Sequence, residues 1–247
     1  MNRRALLEVC ASSVDDCLRA AELGADRIEL NAALELGGIT PSLGLVRSAV
    51  AVVPVPLIVM IRPRASDFVY SDHEFDCMLR DAAYAIEAGA SGVAFGVLTA
   101  QGDIDVERCS RFSHAVSNAA LVFHRAFDSV GDRSRALELL VELGVDRILT
   151  SGGRSTALEG VAEISALKRQ ARQRIEILPG GGVRAANVRT ILEQTGCSQA
   201  HSGVTRPLAP IESDRLIGSS GVRLALDETA LAELRRELES ISLADGV

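Results

Sequence analysis

The stretch ELGADRIEL, from Glu22 to Leu30, reads as a helix end, a glycine turn and a short β-rich run in immediate succession. Gly24 supplies the left-handed residue that commonly closes a helix. The same form returns in EAGAS (Glu87–Ser91) before Gly92–Phe95, and in ELGVD (Glu142–Asp146) before Arg147–Thr150. These echoes predict one αβ unit used repeatedly.

Other β-rich runs are Leu6–Cys10, Leu57–Ile61, Leu121–His124, Ile175–Leu178 and Gln199–His201. Helical patterns lie between them, for example Val14 to Leu23, His73 to Ala88 and Ala136 to Leu143. A strand, a helix and a return strand need roughly 30 residues, and the runs recur at about that interval. Eight such units without a change in composition predict a (β/α)8 barrel of the TIM type, one α/β domain over residues 1–247. An open doubly wound sheet would carry a glycine fingerprint after its first strand, but only Ala-Ser-Ser follows Cys10. Ser12 or Ser13 is expected to cap the helix from Val14, and Asp132 or Ser134 the one before Ala136. Residues 204–247 are expected to differ. Thr205–Gly221, with Pro207, Pro210 and Gly218, reads as an irregular excursion, and a helix near Glu228–Ile241 as a cover for the barrel.

Composition fits this reading. Hydrophobic residues make up 47% and aromatics only 3%, so the core must rest on Val, Ile, Leu and Ala, as parallel sheets buried on both faces do. No apolar run approaches the ~20 residues of a membrane span. Net charge is -7 with no basic stripe, which argues against nucleic acid as a partner. The five cysteines stand at 10, 17, 77, 109 and 197 without a CxxC pair, the pattern of reduced thiols. With no long apolar stretch before Glu8, a secretory leader is not expected, and the cytoplasm is the predicted location.

Strand residues alternate between barrel interior and helix layer. Leu7, Val9, Ile28 and Leu30 are therefore expected to face the helices, with Glu8, Cys10, Glu29 and Asn31 facing inward. Polar residues late in a barrel strand fall at the face where chemistry is done. Glu8 and Glu29 read as a general acid and base or as anchors for hydroxyls, and alternatively as ion-pair partners of Arg27, Arg62 or Arg125. In FHRAFD (Phe123–Asp128), His124 reads as a proton shuttle or metal ligand, Arg125 as an anion contact, and Asp128 as an orienting group or a helix cap. The long loop IRPRASDFVYSD (Ile61–Asp72) reads as a lid, with Arg62 and Arg64 receiving a carboxylate or phosphate. Ser151 and Gly152 of TSGG, Gly181 and Gly182 of PGGGV, and His201 and Ser202 of HSGV are expected to bind a small anionic ligand. Soft donors are few, but Cys10, Met60, His124 and His201 could share one mouth, and of these Cys10, Met60 and His124 are the candidate metal ligands.

LEVC, GADRIEL, LGGITPSLGLVR, VMIRPR…DFVYSD, FHRAFD, RILTSGG, ALEG, GGGV and HSG, in that order from Leu6 to Gly203, together resemble the CutC family, named for copper homeostasis. The resemblance implies a TIM-barrel-like cytoplasmic protein, usually a homo-oligomer (here expected as a dimer), that binds copper as Cu(I). Cys10 is the thiol it carries over first. The family's second-strand segment often reads RIELC, and Asn31 stands where that cysteine would fall. The residues themselves leave a second expectation: a lyase, isomerase or hydrolase acting on a small phosphorylated or carboxylated sugar-like compound. In it Glu8 and Glu29 move protons while Arg62, Gly181 and Gly182 hold the anion.

Overall fold

The computed structural model describes residues 4–116, 119–208 and 222–241. Strands β1 (Leu6–Ala11), β2 (Arg27–Leu30), β3 (Leu57–Met60), β4 (Gly92–Phe95), β5 (Ala120–Phe123), β6 (Arg147–Thr150), β7 (Glu176–Pro179) and β8 (Gln199–Ser202) form one parallel sheet. Its order is β7-β6-β5-β4-β3-β2-β1-β8, so the first strand pairs with both the second and the last. This is a (β/α)8 barrel. Its seam lies between β7 and β8, which touch without a ladder among the described residues. Side chains bridge the seam instead: Gln199 Nε2 donates to Glu176 Oε2 at 3.3 Å, and the Ser202 hydroxyl donates to the Val183 carbonyl at 2.7 Å.

The helices are α1 (Val14–Glu22), α2 (Leu43–Val52), α3 (Asp72–Glu87), α4 (Val106–Ala115), α5 (Arg133–Glu142), α6 (Val161–Ala171), α7 (Ala185–Thr195) and α8 (Glu228–Glu239). Ser13 caps α1 by accepting the Asp16 amide, and Asp132 caps α5 by accepting the Arg135 amide. The repeated turns share one geometry. Gly24, Gly89 and Gly144 have φ of 93°, 99° and 72°. The amides of Ala25, Ala90 and Val145 reach back to the carbonyls of Ala20, Ala85 and Leu140, which completes the Schellman arrangement. The next residue then ties the turn to the preceding strand. Asp26 and Asp146 accept the amides of Leu7 and Leu121 at 2.9 and 2.7 Å, and the Ser91 hydroxyl accepts that of Leu57 at 3.3 Å. Each of the three also returns its own amide to the same leucine's carbonyl.

The C-terminal region departs in part from expectation. Thr205–Pro207 is not irregular: it forms β9, antiparallel to β10 (Leu224–Leu226). Pro210 and Gly218 lie outside the described residues. The last helix forms where expected and covers the flank of the barrel. It takes the eighth place in the helix layer, against α7 and α1, because its Leu231, Leu234 and Leu238 form a buried stripe. Arg189 from α7 donates to Glu237 at 2.7 Å, and Arg235 donates to Asp26 at 3.1 Å.

Two apolar bodies result. The larger fills the space between strands and helices and contains Leu7, Val9, Ile28 and Leu30, the outward set. The smaller lies inside the barrel and consists of Ile58, Met60, Ala94, Val122, Leu149 and Leu178, all from β3 to β7. The remaining wall, made by β8, β1 and β2, presents Glu8, Glu29 and His201 inward, and all three are buried. The glycine turns set the strand spacing on which this division rests. Gly89→Ala would force a side chain to φ 99° and place its Cβ 2.9 Å from Val50 Cγ1. The expected cost is about 1–3 kcal/mol, read as a lower urea midpoint at unchanged m-value.

Candidate functional site

Pairing register assembles the polar wall. In the β1–β8 ladder Glu8 lies opposite His201, and in the β1–β2 ladder Cys10 lies opposite Glu29. Opposed residues share a face. His201 Nδ1 therefore meets Glu8 Oε1 at 2.7 Å, while its Nε2 lies 3.0 Å from Cys10 Sγ. The Cys10 thiol donates to Glu29 Oε2 at 3.4 Å, and Asn31 Nδ2 donates to the same oxygen at 3.0 Å. Arg27 ion-pairs with Glu8 from below and donates to Gln199 at 3.0 Å. One continuous polar chain thus runs Arg27, Glu8, His201, Cys10, Glu29, Asn31.

Burial drives the electrostatics of this chain, and partners decide the sign. Burial alone would raise the Glu8 carboxyl, but the His201 hydrogen bond and the charge of Arg27 hold it down at about 2. Burial opposes a charged His201, yet Cys10, Glu29 and Glu8 raise it well above the ordinary histidine value. Glu29 is raised, first by burial and then by the charge of Glu8. Cys10 is pushed up to about 11, with burial the main cause and both glutamates adding to it. Cys10, Glu29 and His201 place one ligand atom each within 4.8 Å of one another.

The opposite wall holds a different set. Met60 packs in the interior apolar body with Ile58 and Val122, and His124 stands outside the Cys10 cluster. His124 follows β5 and starts a short 3-10 turn, where its Nδ1 accepts the Ala126 amide at 3.1 Å. Its neutral ring consequently carries hydrogen on Nε2, which leaves no lone pair there for a metal. Burial and the charge of Arg62 lower it to about 3. Arg62 is engaged through two of its three nitrogens: NH1 donates to the carbonyls of Leu36, Gly37 and Gly38, and NH2 to that of Ser66. It laces together the loops after β2 and β3. Arg64 is likewise engaged, with Glu74 at 2.6 Å and Asp67 at 3.2 Å.

Asp128 does not cap α5, a role taken by Asp132. Its carboxylate accepts from Thr150 Oγ1 at 2.5 Å, the Ser151 amide and hydroxyl, the Gly153 amide at 3.1 Å and Arg125 Nε at 2.9 Å. The amides of the TSGG turn are thereby spent on protein: those of Ser151 and Gly153 on Asp128, that of Gly152 on Thr150 Oγ1 at 2.9 Å. Arg125 NH2 donates to the Ser151 hydroxyl at 2.8 Å. Gly181, at φ 100°, approaches this pair so closely that a Cβ would lie 3.2 Å from Ser151 Cβ and 3.3 Å from Arg125 Cζ. The Gly182 carbonyl accepts from Asn187, and Ser202 receives Arg184 at 3.3 Å. Arg125, Ser151 and Gly181 are thus brought together, and the adjacent Gly180 lies against His201, where a Cβ would stand 3.3 Å from the His201 Cβ. Phe68 and Gly96, both against His124, carry no sequence signal that singles them out. Asp128→Ala would strip five donors of their acceptor. The expected loss is about 2–4 kcal/mol, with faster amide hydrogen exchange confined first to residues 151–153.

Comparison with known proteins identifies the relatives of this barrel. The CutC family model matches residues 5–206. A CutC family protein of Glaesserella parasuis is 40% identical over 96% of this chain and 99% of its own. The human copper homeostasis protein cutC homolog is 46% identical over 79% of this chain and 72% of its own. The crystal structure of CutC from Streptococcus agalactiae superposes with a TM-score of 0.76 at 37% identity, covering 80% of this chain and 97% of the other. By family model, by sequence and by structure, this chain belongs to the CutC family.

Proposed function

We propose that this chain serves copper homeostasis by binding copper(I), with Cys10 and His201 as its ligands and Glu29 beside them. The carrying observation is the convergence of the three ligand atoms within 4.8 Å. A thiol and an imidazole are the soft and borderline donors that suit this ion. Glu8 on Nδ1 fixes the ring so that Nε2 faces the thiol, the arrangement in which a carboxylate orients a metal-binding histidine. Glu29 Oε1 is buried without a partner, an acceptor left over for a cation. The copper homeostasis function named for the human relative supports the same reading.

This reading takes residues 1–247 as one domain and places it in the cytoplasm, in keeping with the free state of its five cysteines. The family resemblance supports a homo-oligomer, a dimer in the first instance, which light scattering on the purified protein measures. A copper(I) titration against a chromophoric chelator tests the site itself. One ion per chain is expected, lost in Cys10→Ser and in His201→Gln. Glu8→Gln should weaken binding about 10–100-fold, and Met60→Leu should leave it unchanged. Full-strength binding by Cys10→Ser would overturn the assignment.

One observation favours a second reading, an enzyme acting on a small phosphorylated or carboxylated sugar-like compound. The two glutamates of one wall are pushed apart, Glu8 down and Glu29 up, as acid and base pairs are. In that reading Glu29→Gln abolishes turnover of a sugar phosphate while far-UV circular dichroism stays unchanged. Retained turnover would remove Glu29 from the chemistry.

A further inference from the structure

Outside the Cys10 chain, at the ends of β3 and β5, two buried N–H donors have no partner among the described residues: His124 Nε2 and Arg62 Nε. Both side chains are more than nine-tenths buried, with exposures of 3% and 8%. An unpaired buried donor is destabilising, so two beside one aromatic ring call for a reason.

Each donor is held in place by everything around it. The Ala126 amide fixes the His124 ring through Nδ1 and directs its hydrogen to Nε2. Gly96 admits the ring, because a Cβ there would lie 2.5 Å from His124 Cε1 and 2.6 Å from Nδ1. Phe68 covers it, with ring centroids 5.0 Å apart. After β3, Arg62 NH1 and NH2 are committed to four loop carbonyls, which leaves Nε as the remaining donor, with the buried Tyr70 hydroxyl, likewise unpartnered, beside the guanidinium. One of those carbonyls belongs to Ser66, a non-glycine residue in the strained left-handed region at φ 83°. Arg62 Cζ lies 5.2 Å from the centroid of the same Phe68 ring. The two donors therefore flank one side chain from β3 and β5.

We propose that His124 Nε2–H and Arg62 Nε–H together hold one sp2 oxygen of a small oxo compound beneath Phe68. Such an oxygen accepts two hydrogen bonds. One donor here is neutral and the other cationic, and both are fixed in advance. That combination stabilises an oxygen that carries or gains negative charge. A ketone oxygen and a carboxylate oxygen share this chemistry. The site uses none of the copper ligands and stands independently of the copper reading.

The test is nuclear magnetic resonance on the full chain with 15N-labelled histidine, whose four rings can be assigned by single replacement. The probes are dihydroxyacetone, a ketone without charge; acetate, a carboxylate without ketone; and pyruvate, which has both. His124 is expected as the neutral Nε2–H tautomer, with that proton shifting saturably in at least one titration. A response to dihydroxyacetone assigns a ketone, and a response to acetate alone assigns a carboxylate. His124→Leu should weaken the responding probe about tenfold, and His124→Gln, which restores an N–H, should recover part of the loss. The same shift is expected in Cys10→Ser, so failure of the copper site leaves this result intact. Three outcomes each overturn the proposal: no probe shifts the resonance, as for a donor that holds water only; the ring carries its hydrogen on Nδ1; or copper(I) displaces the Nε2 hydrogen. The wild-type spectrum decides these even if the His124 variants fail to fold.

Discussion

The parallel pairing of β1 with β8 is the constraint on which the rest of this protein depends. It joins the last strand to the first, bringing β8 to where it meets β7 across the seam, and it does so in one register, with Glu8 opposite His201. A slip of one residue would turn His201 into the helix layer and leave the Glu8 carboxylate buried with Arg27 alone. The Nδ1 to Glu8 contact at 2.7 Å is consequently both a contact that joins the first strand to the last and the link that orients His201 toward Cys10. Strand pairing and site are one piece of geometry.

The barrel interior is divided rather than uniform. Five consecutive strands supply Ile58, Met60, Ala94, Val122, Leu149 and Leu178, a compact apolar body that needs no partners. The remaining three supply groups that must be paired, and nearly all of their polar atoms are. Among the described residues, unpaired buried atoms occur near the strand ends on Glu29, Asn31, Arg62, Tyr70 and His124, and elsewhere on Arg147 and Arg235. Polar groups are tolerated in an interior of this kind when each finds a partner.

Much of the fold was legible because its signals are local. A glycine at a fixed offset from a helix end, followed by Asp or Ser, is a short-range pattern, and the turns at Gly24, Gly89 and Gly144 realise it. Strand alternation likewise assigned Leu7, Val9, Ile28 and Leu30 to the helix-facing core. What sequence could not settle was which inward residues meet. Cys10 and His201 are far apart in the chain and touch only because β8 pairs with β1, while Met60 and His124, grouped with them by chemistry, stand on other strands. The donors around the Asp128 carboxylate and the carbonyls around Arg62 were hidden, because nothing in FHRAFD or IRPRAS reveals how many later surround them. The place of α8 in the helix layer was hidden for the same reason, since its partners are α7 and α1.

The contact between Glu8 and His201 also has a consequence in time. On the ribosome, Glu8, Cys10 and Glu29 emerge early, and the units from β1 to β6 can form through their own turns and leucine ties. His201 is synthesised more than a hundred residues later, in the last strand of the barrel. Until it arrives, Glu8 has Arg27 but no imidazole, Cys10 has no Nε2 to meet, and the seam has no second side. The site therefore comes into being in the final step of assembly, and a chain cut short before β8 carries every glutamate of the site but not the site.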